Sequence, residues 1–177
     1  MNIALRTEPQ PTSAIELLLR KRRVDTSDLV IRLAELRDIP QLVAMLHDFF
    51  DQTPWSMCCE FEDERTAMFL NHSIPRGTQP YLLAFDGERL VGTISWHLYY
   101  EACSPIAVMD ETYIEPEYRK TNLGRKLVAL AMHMAKGEGA AVMNFPLASG
   151  FKETKTFVNM LRKFGAQPVG VIVSKVL

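Results

Sequence analysis

The sequence predicts a mixed α/β domain, α+β-like in part. It has a central, mostly antiparallel sheet of about six strands and helices on both faces. Three observations lead there. Tyr81–Phe85 and Arg89–Tyr99 are β-rich runs joined at Asp86-Gly87, a dipeptide that favours hairpin turns. Several segments carry apolar residues at helical spacing. Late in the chain, strand and helix patterns alternate, as in crossover units.

In chain order, residues 1–28 read as an extension. Met1–Thr12 holds Pro9 and Pro11 and no periodicity, so it reads as a flexible or partner-dependent arm. Ser13 and Glu16 then fit a capping box. Ile15, Leu18 and Leu19 share a helical face, and Arg20-Lys21-Arg22-Arg23 ends the helix where the macrodipole is negative. That run also suits an acidic partner or, more weakly, nucleic acid.

The domain proper spans 29–177. Leu29–Leu33 reads as its first strand. Asp38 and Gln41 predict a capped helix with Ile39, Leu42, Val43, Leu46 and Phe50 on one face, ended by Thr53-Pro54. Glu62–Asn71 is a weaker helix, and Ser73–Gly77 a loop. Asp86-Gly87 predicts a type I′ turn, Glu101–Pro105 a second turn, and Ile106–Ile114 a strand. Leu127, Leu130, Ala131 and Met134 mark a helix over 124–136, ended by Gly137 and Gly139. Ala140–Phe145 reads as a buried strand. Lys152–Phe164 reads as a helix capped by Gly165, and Gln167–Val176 as the last strand.

Composition excludes several classes. Of 177 residues, 47% are apolar and 23% charged, which argues against disorder or a collagen-like chain. Twenty Lys+Arg against 21 Asp+Glu leave a net charge of −1, so no global basic field recruits nucleic acid or an anionic membrane. No run approaches the roughly 18 apolar residues of a spanning helix, and no secretory h-region opens the chain. A soluble, cytoplasmic protein is expected. Cys58, Cys59 and Cys103 show no metal-ligand spacing, so reduced thiols and no metal are expected. A homodimer and a protein partner for the extension both stay compatible with the sequence.

The joint between strand 106–114 and helix 124–136 carries the chemistry. Its loop can present successive backbone N–H groups at a positive helix terminus, an anion site suited to a pyrophosphate. Gly124 permits close backbone approach, and Asn122 tolerates a left-handed conformation. Arg119, Lys120, Arg125 and Lys126 surround the loop. Cations at a helix N-terminus oppose the dipole, so their presence there points to an expected anion.

The run Ile114-Glu115-Pro116-Glu117-Tyr118-Arg119-Lys120-Thr121-Asn122-Leu123-Gly124 resembles motif A of the GNAT superfamily, V-x-P-x-[YF]-[RQ]-x-x-G-x-[GA]. These are acetyl-CoA-dependent N-acyltransferases. Arg119 falls on the Arg/Gln position, Gly124 on the second small position, and Asn122 replaces the first glycine. The element order over 29–177 is also similar. The resemblance implies strands splayed between the fourth and fifth, with acetyl-CoA as co-substrate in the gap. Thr112, Tyr113 and Ile114 would pair its pantetheine. Arg119, Lys120, Thr121, Asn122, Leu123, Gly124 and Arg125 would receive its pyrophosphate.

The resemblance also implies a small-molecule or peptide amine as acceptor and an acidic or histidine base on the fourth strand. Alternation puts Val108, Asp110, Thr112 and Ile114 on one face, and Met109, Glu111 and Tyr113 on the other. Asp110 is the candidate base; a bulge would exchange it with Glu111. His97 reads as structural. The family's tyrosine acid falls on Leu161, which donates no proton, and Thr154 lies near its helix-starting Asn. Tyr113, Tyr118 and Ser149 are weaker substitutes. These departures motivate a second reading, a GNAT-fold binding or structural module. Such chains also occur in phage genomes, some as virion-associated proteins.

Overall fold

The computed structural model describes residues 26–100, 104–147 and 154–169. Five strands form one sheet in the order β1-β2-β3-β4-β5: Val30–Leu33, Tyr81–Asp86, Arg89–Tyr99, Ile106–Ile114 and Val142–Asn144. The first four pair antiparallel; β4 and β5 are parallel. The sixth expected strand is not seen at 167–169, and its remainder lies outside the described residues, as do the 13–23 helix, Cys103 and Ser149.

Helices α1 (Ile39–Asp51) and α2 (Asp63–Arg76) cover one face. They bury Leu42, Leu46 and Leu70 against Leu83, Phe85 and Tyr113. Helices α3 (Leu123–Gly137) and α4 (Thr154–Arg162) cover the other. There Leu123, Leu127, Val128, Ala131 and Leu161 pack on Leu82, Val91, Ile94 and Trp96. Burial on both sides explains why Leu82–Phe85 is a continuous apolar run rather than an alternating one. No described helix is long and apolar enough to cross a membrane.

Local corrections follow from side chains finding better partners. The Asp38–Gln41 capping box does not form. The Asp38 carboxylate instead takes Arg32 in a bidentate pair at 2.6 and 2.7 Å, together with the Glu35 N–H. The Arg32 guanidinium holds that carboxyl below its ordinary range. Gln41 spans to the hairpin, accepting from Leu90 N and donating to Glu88 O.

Helix α2 runs through Ser73 and Pro75 and stops where Gly77 turns left-handed at φ 62°. The Thr78 N–H reaches back to Ser73 O there, the Schellman closure. The hairpin loop is Gly87-Glu88, with Asp86 paired to Arg89. Only Gly87 has positive φ, which is the II′ pattern and not I′. β5 is shorter and less buried than expected, Val142 being 53% exposed, because it pairs with β4 over three residues before diverging.

Candidate active site where two strands part

β4 and β5 pair only through Ile106↔Val142, Ala107↔Met143 and Val108↔Asn144. Pro146, two residues on, has no N–H with which to extend the ladder. On its other side β4 stays paired with β3 as far as Ile114. Successive residues of an antiparallel strand aim their backbone groups to opposite sides. The Glu115 N–H bonds Val91 O on the β3 side at 3.0 Å. Tyr113 therefore faces β3, while Thr112 and Ile114 aim their backbone groups into the gap. The 2.8 Å bond from Arg119 Nε to Ile114 O agrees with that direction.

From the open edge the chain turns through Glu115–Asn122 into α3. The N–H groups of Tyr118 and Thr121 are spent on Glu115 O and Tyr118 O. The N-cap of α3 is Asn122, which makes no side-chain cap bond; Thr121 Oγ1 accepts the Leu123 N–H instead, at 3.1 Å. The Gly124 and Arg125 amides sit in the first turn, where no intrahelical carbonyl is available to them. Exposed Lys120 and Arg125 flank that turn.

The other two cations are committed elsewhere. Lys126 Nζ bonds Thr26 O at 2.8 Å, and Arg119 Nη2 bonds Gln52 Oε1 at 2.8 Å, its guanidinium lying over the Tyr113 ring. One expectation changes: Asn122 is not left-handed; its φ is −88°, and its Oδ1 accepts the hydroxyl of buried Thr26. Gly124 also serves helix–strand packing, since a Cβ there would stand 3.1 Å from Ile114 Cδ1.

The acids of β4 sit on a bulge. Ile94 pairs with Thr112 and Trp96 with Met109, so β3 advances two residues while β4 advances three. The extra residue breaks the alternation expected from parity. Asp110 meets His97, with both carboxylate oxygens 2.9 Å from Nδ1. Glu111 meets Ser95: its N–H donates to Ser95 Oγ at 3.1 Å, and that hydroxyl donates back to its carboxylate. Ser95 and His97 are two apart on β3 and share a face. Both acids therefore lie on the α1–α2 side of the sheet. Gln79 Nε2 and the Tyr81 hydroxyl complete the Glu111 cage at 3.3 and 3.4 Å.

Burial pushes both carboxyls above their ordinary range, against the opposing pull of His97 on Asp110 and of Ser95 on Glu111. For Glu111 this has a measurable consequence. An acid with a raised folded pKa contributes stability that is fully present below its unfolded value, about 4.3, and is lost as pH rises through the folded value. Glu111→Gln removes that loss. Denaturation midpoints from pH 4 to 8 are therefore expected to fall more in the wild type than in Glu111→Gln. Parallel curves would mean that the carboxyl titrates as if solvated.

Among the described residues, the two tyrosines named as substitute proton donors are engaged by other partners. Tyr113 is buried with its hydroxyl accepting from Gln52 Nε2, and the Tyr118 hydroxyl donates to Asp86, a bond that pushes its phenol up to about 12. Leu161 is in the core. Thr112 spends its hydroxyl on Met109 Sδ. Sequence reasoning missed Ser95, Gln79 and Tyr81 and read His97 as structural. No motif marks them, and the bulge that gathers them emerges only from strand pairing. A separate groove of about 580 Å³, lined by Gly77, Thr78, Pro80, Leu98, Tyr100 and Glu138, touches none of the predicted site residues. No group of three or more metal-ligating side chains occurs among the described residues.

The sequence profile of the acetyltransferase (GNAT) family matches residues 41–148, more than half of the chain. The chain belongs to the GNAT acetyltransferase family. This makes it an enzyme of acyltransferase type. No curated protein matches it by sequence.

Solved structures share the GNAT fold at low identity. A "predicted acetyltransferase with acetyl-CoA" from Clostridium acetobutylicum superposes with TM-score 0.67 at 15% identity, covering 84% of this chain and 96% of that one. An aminoglycoside acetyltransferase from an uncultured soil metagenomic sample, in complex with sisomicin, gives 0.66 at 16%, covering 84% and 96%. A ribosomal-protein-alanine N-acetyltransferase from Brucella melitensis biovar Abortus gives 0.64 at 14%, covering 84% and 97%. At such identities the likeness is one of fold.

Proposed function

We propose that this GNAT chain transfers an acetyl group from acetyl-CoA to a primary amine by direct attack. The observation that carries the proposal is the open edge of β4. Beyond Val108 it offers the outward backbone groups of Thr112 and Ile114, and these lead to the amide-rich first turn of α3. An extended chain with amides pairs along such an edge, and a pyrophosphate suits such a turn. Acetyl-CoA has both, and when bound it supplies the activated thioester.

The chain supplies the rest. Thr112 and Ile114 orient the pantetheine arm. The Gly124 and Arg125 amides, with the Lys120 and Arg125 side chains, receive the phosphates. Asp110, hydrogen-bonded to His97 near the vertex of the gap, belongs to the pair that draws the proton off the amine. The acceptor is a small-molecule or peptide amine; structural neighbours of both kinds exist.

Leu161 in the core and the engagement of Asn122 and Lys126 by Thr26 favour a second reading, a binding module without turnover. Calorimetric titration with acetyl-CoA, followed by a thiol-release assay with sisomicin or an alanine-initiated peptide, separates the two. Binding with amine-dependent thiol release is expected. No heat at millimolar acetyl-CoA would overturn the proposal, and binding without release for either acceptor would favour the second reading.

A further inference from the structure

We infer that the His97 imidazole is the group that takes the proton from the amine, and that Asp110 is its positioning residue. This deepens the acetyltransferase reading and rests on it.

Three observations carry the inference. First, the Asp110 carboxylate is engaged by His97 Nδ1 through both oxygens at 2.9 Å. An ionised carboxylate only accepts, so Nδ1 carries the hydrogen and Nε2 is left with its lone pair. Second, the exposure is graded in the sense a relay needs. The His97 side chain is 39% exposed and the Asp110 side chain 21%, so the imidazole is the outer member and the carboxylate the inner. Third, His97 pairs with Val108, and Val108 pairs with Asn144, the last pair before β4 and β5 diverge. The imidazole thus stands one strand over from the vertex at which the gap closes.

The other acid on this face does not compete. Glu111 is caged by Ser95, Gln79 and Tyr81.

The step balances simply. His97 Nε2 takes one proton from the ammonium form of the acceptor. The nitrogen-to-acetyl bond forms as the carbon–sulfur bond breaks, with the electron pair and the second amine proton going to sulfur. His97 then returns its proton to solvent. Asp110 holds the ring's orientation and stabilises the imidazolium by charge.

The test uses the full chain, acetyl-CoA, and whichever of sisomicin or the alanine-initiated peptide supports thiol release. His97→Gln is expected to lower kcat at least 100-fold, the usual reach of a positioned base, with acetyl-CoA affinity within about threefold of wild type. Added imidazole is expected to restore part of the activity of His97→Ala, which a structural role does not allow. Nitrogen-correlated NMR of the wild-type ring is expected to show the hydrogen on Nδ1, and Asp110→Asn is expected to lose that preference.

A kcat within threefold of wild type in His97→Gln would overturn the inference. So would a loss in His97→Ala that imidazole does not repair, or a ring with its hydrogen on Nε2. Failure of the underlying acetyltransferase reading looks different: the wild type itself would not bind acetyl-CoA.

Discussion

Proline at Thr112 is expected to cost acetyl-CoA binding and leave the fold standing, whereas proline one residue later, at Tyr113, is expected to unfold the protein. The contrast follows from which way each backbone N–H points. Tyr113 pairs with Thr93 and aims its N–H at β3, in phase with the Glu115 bond to Val91. Its side chain is 5% exposed and packs against α1. Tyr113→Pro thus loses a ladder bond in mid-sheet and a buried aromatic ring, costs of about 3 kcal/mol each. Together they reach the whole stability of many domains.

Thr112 aims its N–H into the gap, where no strand needs it, and proline is tolerated on such an edge. The lost donor is then read in binding. One hydrogen bond of about 1.4 kcal/mol is a tenfold loss of acetyl-CoA affinity. Thr112→Val keeps the N–H and is expected to bind as the wild type does. Calorimetric titration gives the affinities and circular dichroism melting the stabilities. Wild-type affinity in folded Thr112→Pro would mean that the pantetheine arm does not use this edge.

The same distinction explains how much of the molecule was legible in the sequence. Element order was readable because each helix has one apolar face and each strand is bounded by turn residues. Apolar periodicity is a local property, and local properties survive in a single sequence. The details that failed all depend on a partner far along the chain. Asp38 has cap chemistry, but Arg32 outbids the helix for its carboxylate. Asn122 has the side chain of a left-handed residue, but the α3 start needs only a bridge-region backbone there, and Thr26 takes its oxygen.

The acids of β4 illustrate the limit most clearly. Parity sends Asp110 and Glu111 to opposite faces, and the bulge returns them to the same one. Nothing within Ile106–Ile114 announces that extra residue. It is a matter of register between two strands, and register is set by the pairing as a whole. His97 looked ordinary for the same reason, since its partner is thirteen residues away on the next strand. The turn proposed to receive the pyrophosphate was legible as a strand–loop–helix joint because its three parts are contiguous.

Trp96 ties the core to that bulge, and Trp96→Ala is expected to be the most damaging single truncation in the α3 face. The side chain is fully buried between the sheet and α3, among Ala107, Met109 and Leu127. Removing it costs about 3–5 kcal/mol, a large part of a typical domain's stability, because the helix and sheet cannot close completely over the space.

The damage has a direction as well as a size. Trp96 is the first β3 residue beyond the bulge, paired with Met109. Its loss frees the segment that holds Asp110 against His97 and Glu111 against Ser95. Trp96→Phe separates the two contributions of this side chain. The ring keeps most of the packing and gives up only the indole N–H bond to Glu138 Oε2 at 3.1 Å. Glu138 is exposed, so water replaces that bond at a cost near 1 kcal/mol. Urea denaturation should therefore rank wild type, Trp96→Phe and Trp96→Ala in that order, with the second gap several times the first. Equal gaps would mean that the Glu138 tether, and not the packing of the ring, holds β3 to α3.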